Sequence, residues 1–265
     1  MYNAKKVPSG WRLRIYQALV LLALFFLWWG LTSSGVLPPF FFGEPVRVLV
    51  RIGEWFVSGD IFPHLAVTLV ETVLAFVFGT GLGLLVGLWL ALSPTAAVLA
   101  DPYIKAANAM PRVILAPIFA VWFGLGIASK VALGITLVFF IVFFNVYQGI
   151  REVSPVVLAN ARMLGASRAQ LLRHVYLPSA MSWVFSSLHT SVGMAFVGAV
   201  VGEYLGSAKG VGYLILQAEG TFDINTVFAG ILVLTTFALI LDGLVSQVER
   251  RLLVWQPRQG ETEKI

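Results

Sequence analysis

Apolar residues run through this chain in stretches too long for the core of a soluble domain, separated by short polar or glycine- and proline-rich breaks. Crossing about 30 Å of hydrocarbon at about 1.5 Å per residue takes about 20 mainly apolar residues. Six segments qualify, at 15–32, 64–92, 103–123, 130–150, 180–205 and 226–248. The pattern predicts an all-α, polytopic membrane bundle of six transmembrane helices. Lys5, Lys6, Arg12 and Arg14 ahead of the first stretch resemble the start of a signal peptide, but no small-residue cleavage site follows and five more spans do, so it is read as a retained helix.

Composition sharpens this. The 265 residues are 58% apolar and 12% charged, with a mean hydropathy of +0.88, whereas soluble domains run at about 45–50% apolar and about 25% charged. A soluble globular protein is excluded. With no cysteine, disulfide frameworks, thiolate zinc sites and cysteine nucleophiles are excluded too. The net charge of +5 is mostly a topology signal. Four Lys or Arg precede the first span, Lys105 adds one, 151–178 adds four and the tail four; the opposite loops hold Arg47, Arg51, Lys130 and Lys209. Thirteen against four puts both termini and the 151–178 loop in the cytoplasm. The organisation is then a cytoplasmic N-terminal segment 1–14, a membrane domain 15–250 and a cytoplasmic tail 251–265, in a bacterial inner membrane once the resemblance below is considered.

Within the spans, Gly79, Gly83 and Gly87 put a small residue at every fourth position of the second, which lets another backbone approach. Pro111 and Pro117 each remove a helical hydrogen bond and predict a bend in the third. The loop 35–63, broken by Pro38, Pro39, Gly43 and Pro45, has a mixed stretch with Trp55 and Phe56 that predicts a short helix along the interface.

The loop between spans four and five is the most heavily punctuated part of the chain. Ser154 before Pro155 predicts an N-cap and first helical position. The helix is expected to reach Leu164, with Gly165 as its left-handed end and Ser167 with Gln170 as a capping box opening a second helix that stops before Pro178. Leu164, Ala166, Leu171 and Leu172 supply an apolar face and Arg162, Arg168 and Arg173 its rim. A DNA-binding helix-turn-helix would need a third helix and a core of its own, which a loop tethered to two spans lacks, so no nucleic-acid partner is expected. An apolar, arginine-rimmed knob instead fits a groove on another protein.

These residues resemble those of the membrane subunits of bacterial ABC importers, whose E-A-A-x-x-x-G motif is followed further on by L-P; here "ANARMLG" ends in Gly165 and Leu177 precedes Pro178. "NAMPRVILAPIFAVWFGLG" at 108–126, "GSAKGVGYLI" at 206–215 and "ERRLLVW" at 249–255 are similar to the branch that moves nitrate, sulfonates, taurine and pyrimidine precursors. The likeness covers nearly the whole chain from about His64. The motif glutamate falls at Ala159 and the first alanine at Asn160, leaving only Ala161, so a salt bridge from this loop to a partner is not carried over.

The resemblance implies a type I ABC importer permease fold. It also implies that Ala159, Asn160, Ala161, Arg162, Leu164, Gly165, Ala166, Ser167, Leu171 and Pro178 form a coupling loop that transmits closure of two cytoplasmic ATP-binding subunits. A second permease copy, a periplasmic or lipid-anchored substrate-binding protein and membrane lipid complete the expected partners. No G-x-x-x-x-G-K-[ST] loop occurs, so ATP and Mg belong to a separate chain and no cofactor is expected on this one. The chain is therefore read as a permease subunit and not an enzyme, moving a small solute such as a sulfonate, nitrate or carboxylate. The alternative is a self-sufficient secondary transporter or channel, though no internal repeat of the kind such transporters show is visible.

Ionisable residues inside spans are costly and usually face a bundle interior or a watery path. They are Glu71, Arg112, His189 and Asp242. Arg112 lies about nine residues, or about 13 Å, into the third span, and His189 a similar distance into the fifth. Asn108, Arg112, His189 and Glu203 are the candidate pathway residues. Glu203, at the outer end of span five, belongs either to an outer gate or to packing against the "GSAKGVG" turn, while Glu71 is a possible structural partner for Arg112. His64, His174 and His189 fall at different depths, so no metal site is expected from them; no G-x-S-x-G or H-E-x-x-H motif indicates a catalytic site.

Overall fold

A computed structural model describes residues 11–252, so the basic residues expected at the extreme amino terminus and in most of the cytoplasmic tail lie outside the described residues. All regular structure among the described residues is helical. Five helices are long and apolar enough to cross a membrane, and one bent pair brings the number to six. Contacts divide the chain into two units, up to Asp60 with Ile215–Val233, and from Ile61 to Leu214 with Leu234 onward.

In the first unit, α1 (Trp11–Ser33) is apolar on every side and leaves nearly all its side chains exposed, the surface of a helix whose solvent is lipid. The loop expected to hold a short helix holds two, α2 (Pro39–Phe42) and α3 (Pro45–Ser58), each begun by proline at its first position, where the missing N–H costs nothing. Trp28 donates from its indole nitrogen to the Phe42 carbonyl at 3.1 Å and packs on Phe228. The Glu44 backbone N–H donates to Asn225 Oδ1 at 2.7 Å.

The second unit is built on α4 (Ile61–Leu92). It is followed by α5 (Pro94–Ala109), a 3-10 turn at Arg112–Ile114, α6 (Leu115–Phe123) and α7 (Ile127–Arg151). Gly79, Gly83 and Gly87 do face a neighbouring helix. A Cβ on them would meet Val138, Val142 and Val146 of α7 at 2.7, 2.8 and 3.0 Å, so the stripe sets how closely α4 and α7 approach. Lipid tails are as apolar as the helices, so this close packing, rather than escape from water, holds them together. The buried core continues through Ala75, Ile150, Ala180, Val184 and Ala195.

The expected third span is broken rather than bent: α5 and the α6 segment meet at 78°. Pro111 is the cause. It lacks the N–H that would continue α5, and it forces Met110 before it into an extended conformation, φ −70° and ψ 135°. Pro117 causes no bend, because in the first turn of α6 its missing N–H has no helical partner to lose.

Beyond α7 come α8 (Pro155–Met163), α9 (Arg168–Leu171), a π turn at Leu172–Tyr176, α10 (Leu177–Ser186), α11 (Leu188–Leu205), α12 (Val211–Gly220) and α13 (Ile224–Leu252). The expected stop before Pro178 is absent. The π turn lets Leu177 donate to Leu172, five residues back, and Pro178 falls in the first turn of α10, where it is tolerated. The fifth span is likewise two helices, jointed at Ser187, whose hydroxyl bonds back to Val184. Lys130, counted above among outside loops, is inside α7 and 1% exposed.

Candidate functional site

The 155–171 knob owes its shape to local sequence. Gly165 takes φ +80°, and the N–H groups of Gly165 and Ala166 donate to Arg162 and Ala161 at 2.9 and 3.0 Å, the two bonds that close a helix through a left-handed glycine. Ser167 and Gln170 form the expected reciprocal box: the Gln170 N–H donates to Ser167 Oγ at 3.3 Å and the Ser167 N–H to Gln170 Oε1 at 2.7 Å. Ser154 holds the N-cap position, but its hydroxyl makes no capping bond.

The turn pushes Leu164 out to 89% exposure, with Met163 beside it at 85%. Val156 and Val157 of α8 are exposed as well. Leu171 is 7% exposed and points into the protein, which removes it from the expected docking face. Ala159, Asn160, Arg162 and Ser167 are exposed, while Ala161 and Ala166 are half-buried and Pro178 lies on the surface. Met163, Val156 and Val157 escaped the sequence reading because helical phase alone does not tell which flank of a two-turn helix meets the bundle.

The break between α5 and α6 gathers two of the candidate pathway residues. Arg112 donates through Nη2 to the Asn108 carbonyl at 3.2 Å and to the Asn108 side-chain oxygen, and its guanidinium lies over the Phe140 ring at 4.5 Å. Asn108 is near the end of α5, so the arginine satisfies a carbonyl that the break would otherwise leave free. Its Nε is buried without a partner, and no carboxylate pairs with it among the described residues. The expected partnership of Arg112 with Glu71 is therefore not formed.

Glu71 and Glu203 lie together elsewhere, 1% and 0% exposed. Glu203 accepts from Thr68 Oγ1 at 2.6 Å and from the Gly212 N–H at 2.8 Å, and Glu71 lies one turn beyond Thr68 on α4. Of the two expectations for Glu203, packing against the "GSAKGVG" turn is the one found. His189 is the second residue of α11 rather than midway along an unbroken span. Its Nδ1 meets Asp242 at 2.8 Å and its Nε2 meets Glu249 at 2.6 Å, so neither nitrogen is free for a solute. The structure thus brings Asn108 and Arg112 together and holds His189 and Glu203 apart from them in partnerships of their own.

Comparison with known proteins bears directly on these features. Residues 79–254 match the family of binding-protein-dependent transport system inner membrane components. The chain is 33% identical over 258 residues to the permease protein SsuC of Bacillus subtilis, named for aliphatic sulfonates transport, covering 95% of this chain and 92% of that one. It is 30% identical to the taurine transport system permease TauC of Escherichia coli, covering 89% and 87%. It is 33% identical to the riboflavin transport system permease RibX of Chloroflexus aurantiacus, covering 89% of each. Among solved structures, an amino acid ABC transporter chain superposes with a TM-score of 0.60 at 21% identity, over 77% of this chain and 96% of that one. The MetNI methionine ABC transporter does so at 0.58 and 18%, over 74% and 96%. Both show the type I importer permease fold.

Proposed function

From the premise that this chain belongs to the binding-protein-dependent transport system inner membrane component family, we propose how its exposed knob and its Arg112 serve a transport cycle. As a multi-pass permease subunit it forms one side of a solute path, works with a second permease copy and a substrate-binding protein, and is driven by two separate ATP-binding subunits. The self-sufficient transporter reading has no support in this family.

The observation that carries the coupling assignment is the knob of Met163 and Leu164. Two large apolar side chains held out by a glycine turn and a capping box are costly to leave in water, and they fit a groove on a cytoplasmic ATPase. No motif glutamate is present at Ala159, so the docking is apolar. The charge asymmetry of the loops supports a cytoplasmic position for the knob and both termini.

The solute is proposed to be a small anion of the sulfonate or carboxylate kind. Arg112 supports this, because a planar guanidinium with an unused donor and no carboxylate partner among the described residues suits an oxyanion. The sulfonate and taurine names of two relatives point the same way.

Affinity purification of the chain from its host membranes tests the coupling assignment. A stoichiometric ATPase is expected to accompany it, and to be lost with Leu164→Asp. Solute flux by the isolated chain in vesicles without ATP would overturn the reading.

A further inference from the structure

The two buried carboxyls, Glu71 and Glu203, are used neither by the anion contact proposed for Arg112 nor by the proposed docking knob. Glu203 stands at the end of α11, and the chain then turns through 206–212 back over α4. Its Oε1 accepts from Thr68 of α4, its Oε2 from the Gly212 N–H, and the Val211 N–H donates to Thr68 Oγ1 at 3.3 Å. One carboxylate therefore ties the returning segment to the helix bundle.

Glu71, one turn beyond Thr68 on α4, is as deeply buried as Glu203, and its Oε2 has no donor. Two carboxylates buried this near each other, one of them short of a donor, repel, and a proton on either relieves the repulsion. Lys130 of α7 packs against Gly202, next to Glu203, and donates to the Leu125 carbonyl at 2.5 Å, so one lysine stands near two buried acids. The other ionisable neighbours are His64, whose Nδ1 bonds the Gly210 backbone, and Lys209, which is exposed on the segment.

We propose that the Glu71–Glu203 pair is a proton-operated latch on the 206–212 segment. With one proton shared, Glu203 holds Gly212 and Thr68. When that proton leaves to water, two like charges buried a helical turn apart repel each other, and the relief open to them is for Glu203 to release the segment and let water in. Rebinding of the proton closes the latch.

The chain has no cysteine, which allows a direct test in the assembled transporter in nanodiscs. Val211→Cys reports lifting of the segment, since Val211 is fully buried. Ala208→Cys, exposed on the same segment, corrects for the thiol's own response to pH. The ratio of their labelling rates by a small maleimide should climb as pH is raised, by at most about tenfold per pH unit, the limit for one proton. Glu71→Gln is neutral at every pH and has no proton to lose, and should hold the ratio low and flat. Glu203→Gln should raise it at every pH. Hydrogen exchange of 206–212 in the cysteine-free chain, corrected for intrinsic rates, gives the same readout if Val211→Cys misfolds. A ratio independent of pH, a pH response that survives Glu71→Gln, or an unchanged ratio in Glu203→Gln would each overturn the latch.

Discussion

Glu203 accepts the backbone N–H of Gly212 at 2.8 Å across a turn that only glycine permits. Gly210, between them, takes φ +108°, and a Cβ there would overlap the Glu203 carboxylate. At Gly212 a Cβ would sit 2.6 Å from the Val200 carbonyl oxygen. The glycines of "GSAKGVG" are therefore the clearance that lets a backbone close over a buried acid.

Gly210→Ala should accordingly cost about 2 kcal/mol or more, from left-handed strain and overpacking together. The thermal midpoint of the purified protein measures it. Gly220→Ala is the control, since a Cβ there meets nothing within 4 Å; it should stay within about 0.5 kcal/mol of the parent. Equal midpoints for the two variants would mean that the turn relaxes around the added methyl.

The α4 stripe predicts a similar contrast. Gly83→Val places a branched side chain against Val142 and the Phe139 carbonyl, and should destabilise by about 1–3 kcal/mol as α4 and α7 are forced apart. Gly81→Val, on the same helix but facing open space, should not. Yield of monodisperse protein from the membrane and its melting curve read the difference.

How much of this was legible in the sequence follows the reach of each interaction. The Gly165 end and the Ser167–Gln170 box were legible because every partner lies within five residues. The glycine stripe was legible as a stripe, but its partner helix was not. Proline made a bend at Pro111 foreseeable but not a full break there; what a proline does depends on its position in a turn, so Pro117 was misjudged. Glu71 and Arg112 looked like natural partners by charge. Yet Glu71 is buried one turn from Thr68, which holds an acid 132 residues from Glu71, and Arg112 turns to a carbonyl four residues back and a ring on α7. Burial of two acids together is set by tertiary packing, and no local pattern announces it.

The knob predicts separable effects. Leu164→Asp should leave folding intact, because the side chain is exposed, and should abolish solute-stimulated ATP hydrolysis by placing a charge in an apolar groove. Gly165→Val adds left-handed strain of about 1 kcal/mol or more and should misdirect the same side chain. Met163→Cys should react with an impermeant maleimide only from the cytoplasmic side. Full coupled transport by Leu164→Asp would place the docking face elsewhere.

Arg112 offers the sharpest choice between a structural and a transport role, because the guanidinium that fastens the broken helix is also the one proposed to meet the anion. Through Nη2 it satisfies the Asn108 carbonyl at the broken helix, and its planar face covers Phe140. A lysine can replace the single bond to that carbonyl, but not the stacked plane or the paired donors an oxyanion meets. If Arg112 serves only to fasten the break, Arg112→Lys should restore the folded amount and the transport rate together, while Arg112→Gln lowers both. If it contacts a passing anion, both variants should assemble normally with unchanged basal ATP hydrolysis, and transport per complex should fall about tenfold or more, the loss of one charged hydrogen-bonding contact of about 1.5–3 kcal/mol. Glu71→Gln has no bearing on this, since Glu71 does not touch the arginine. Solute uptake per assembled complex, measured for both variants with a binding protein of known ligand, separates the roles, and normal uptake by Arg112→Lys removes the guanidinium from the path.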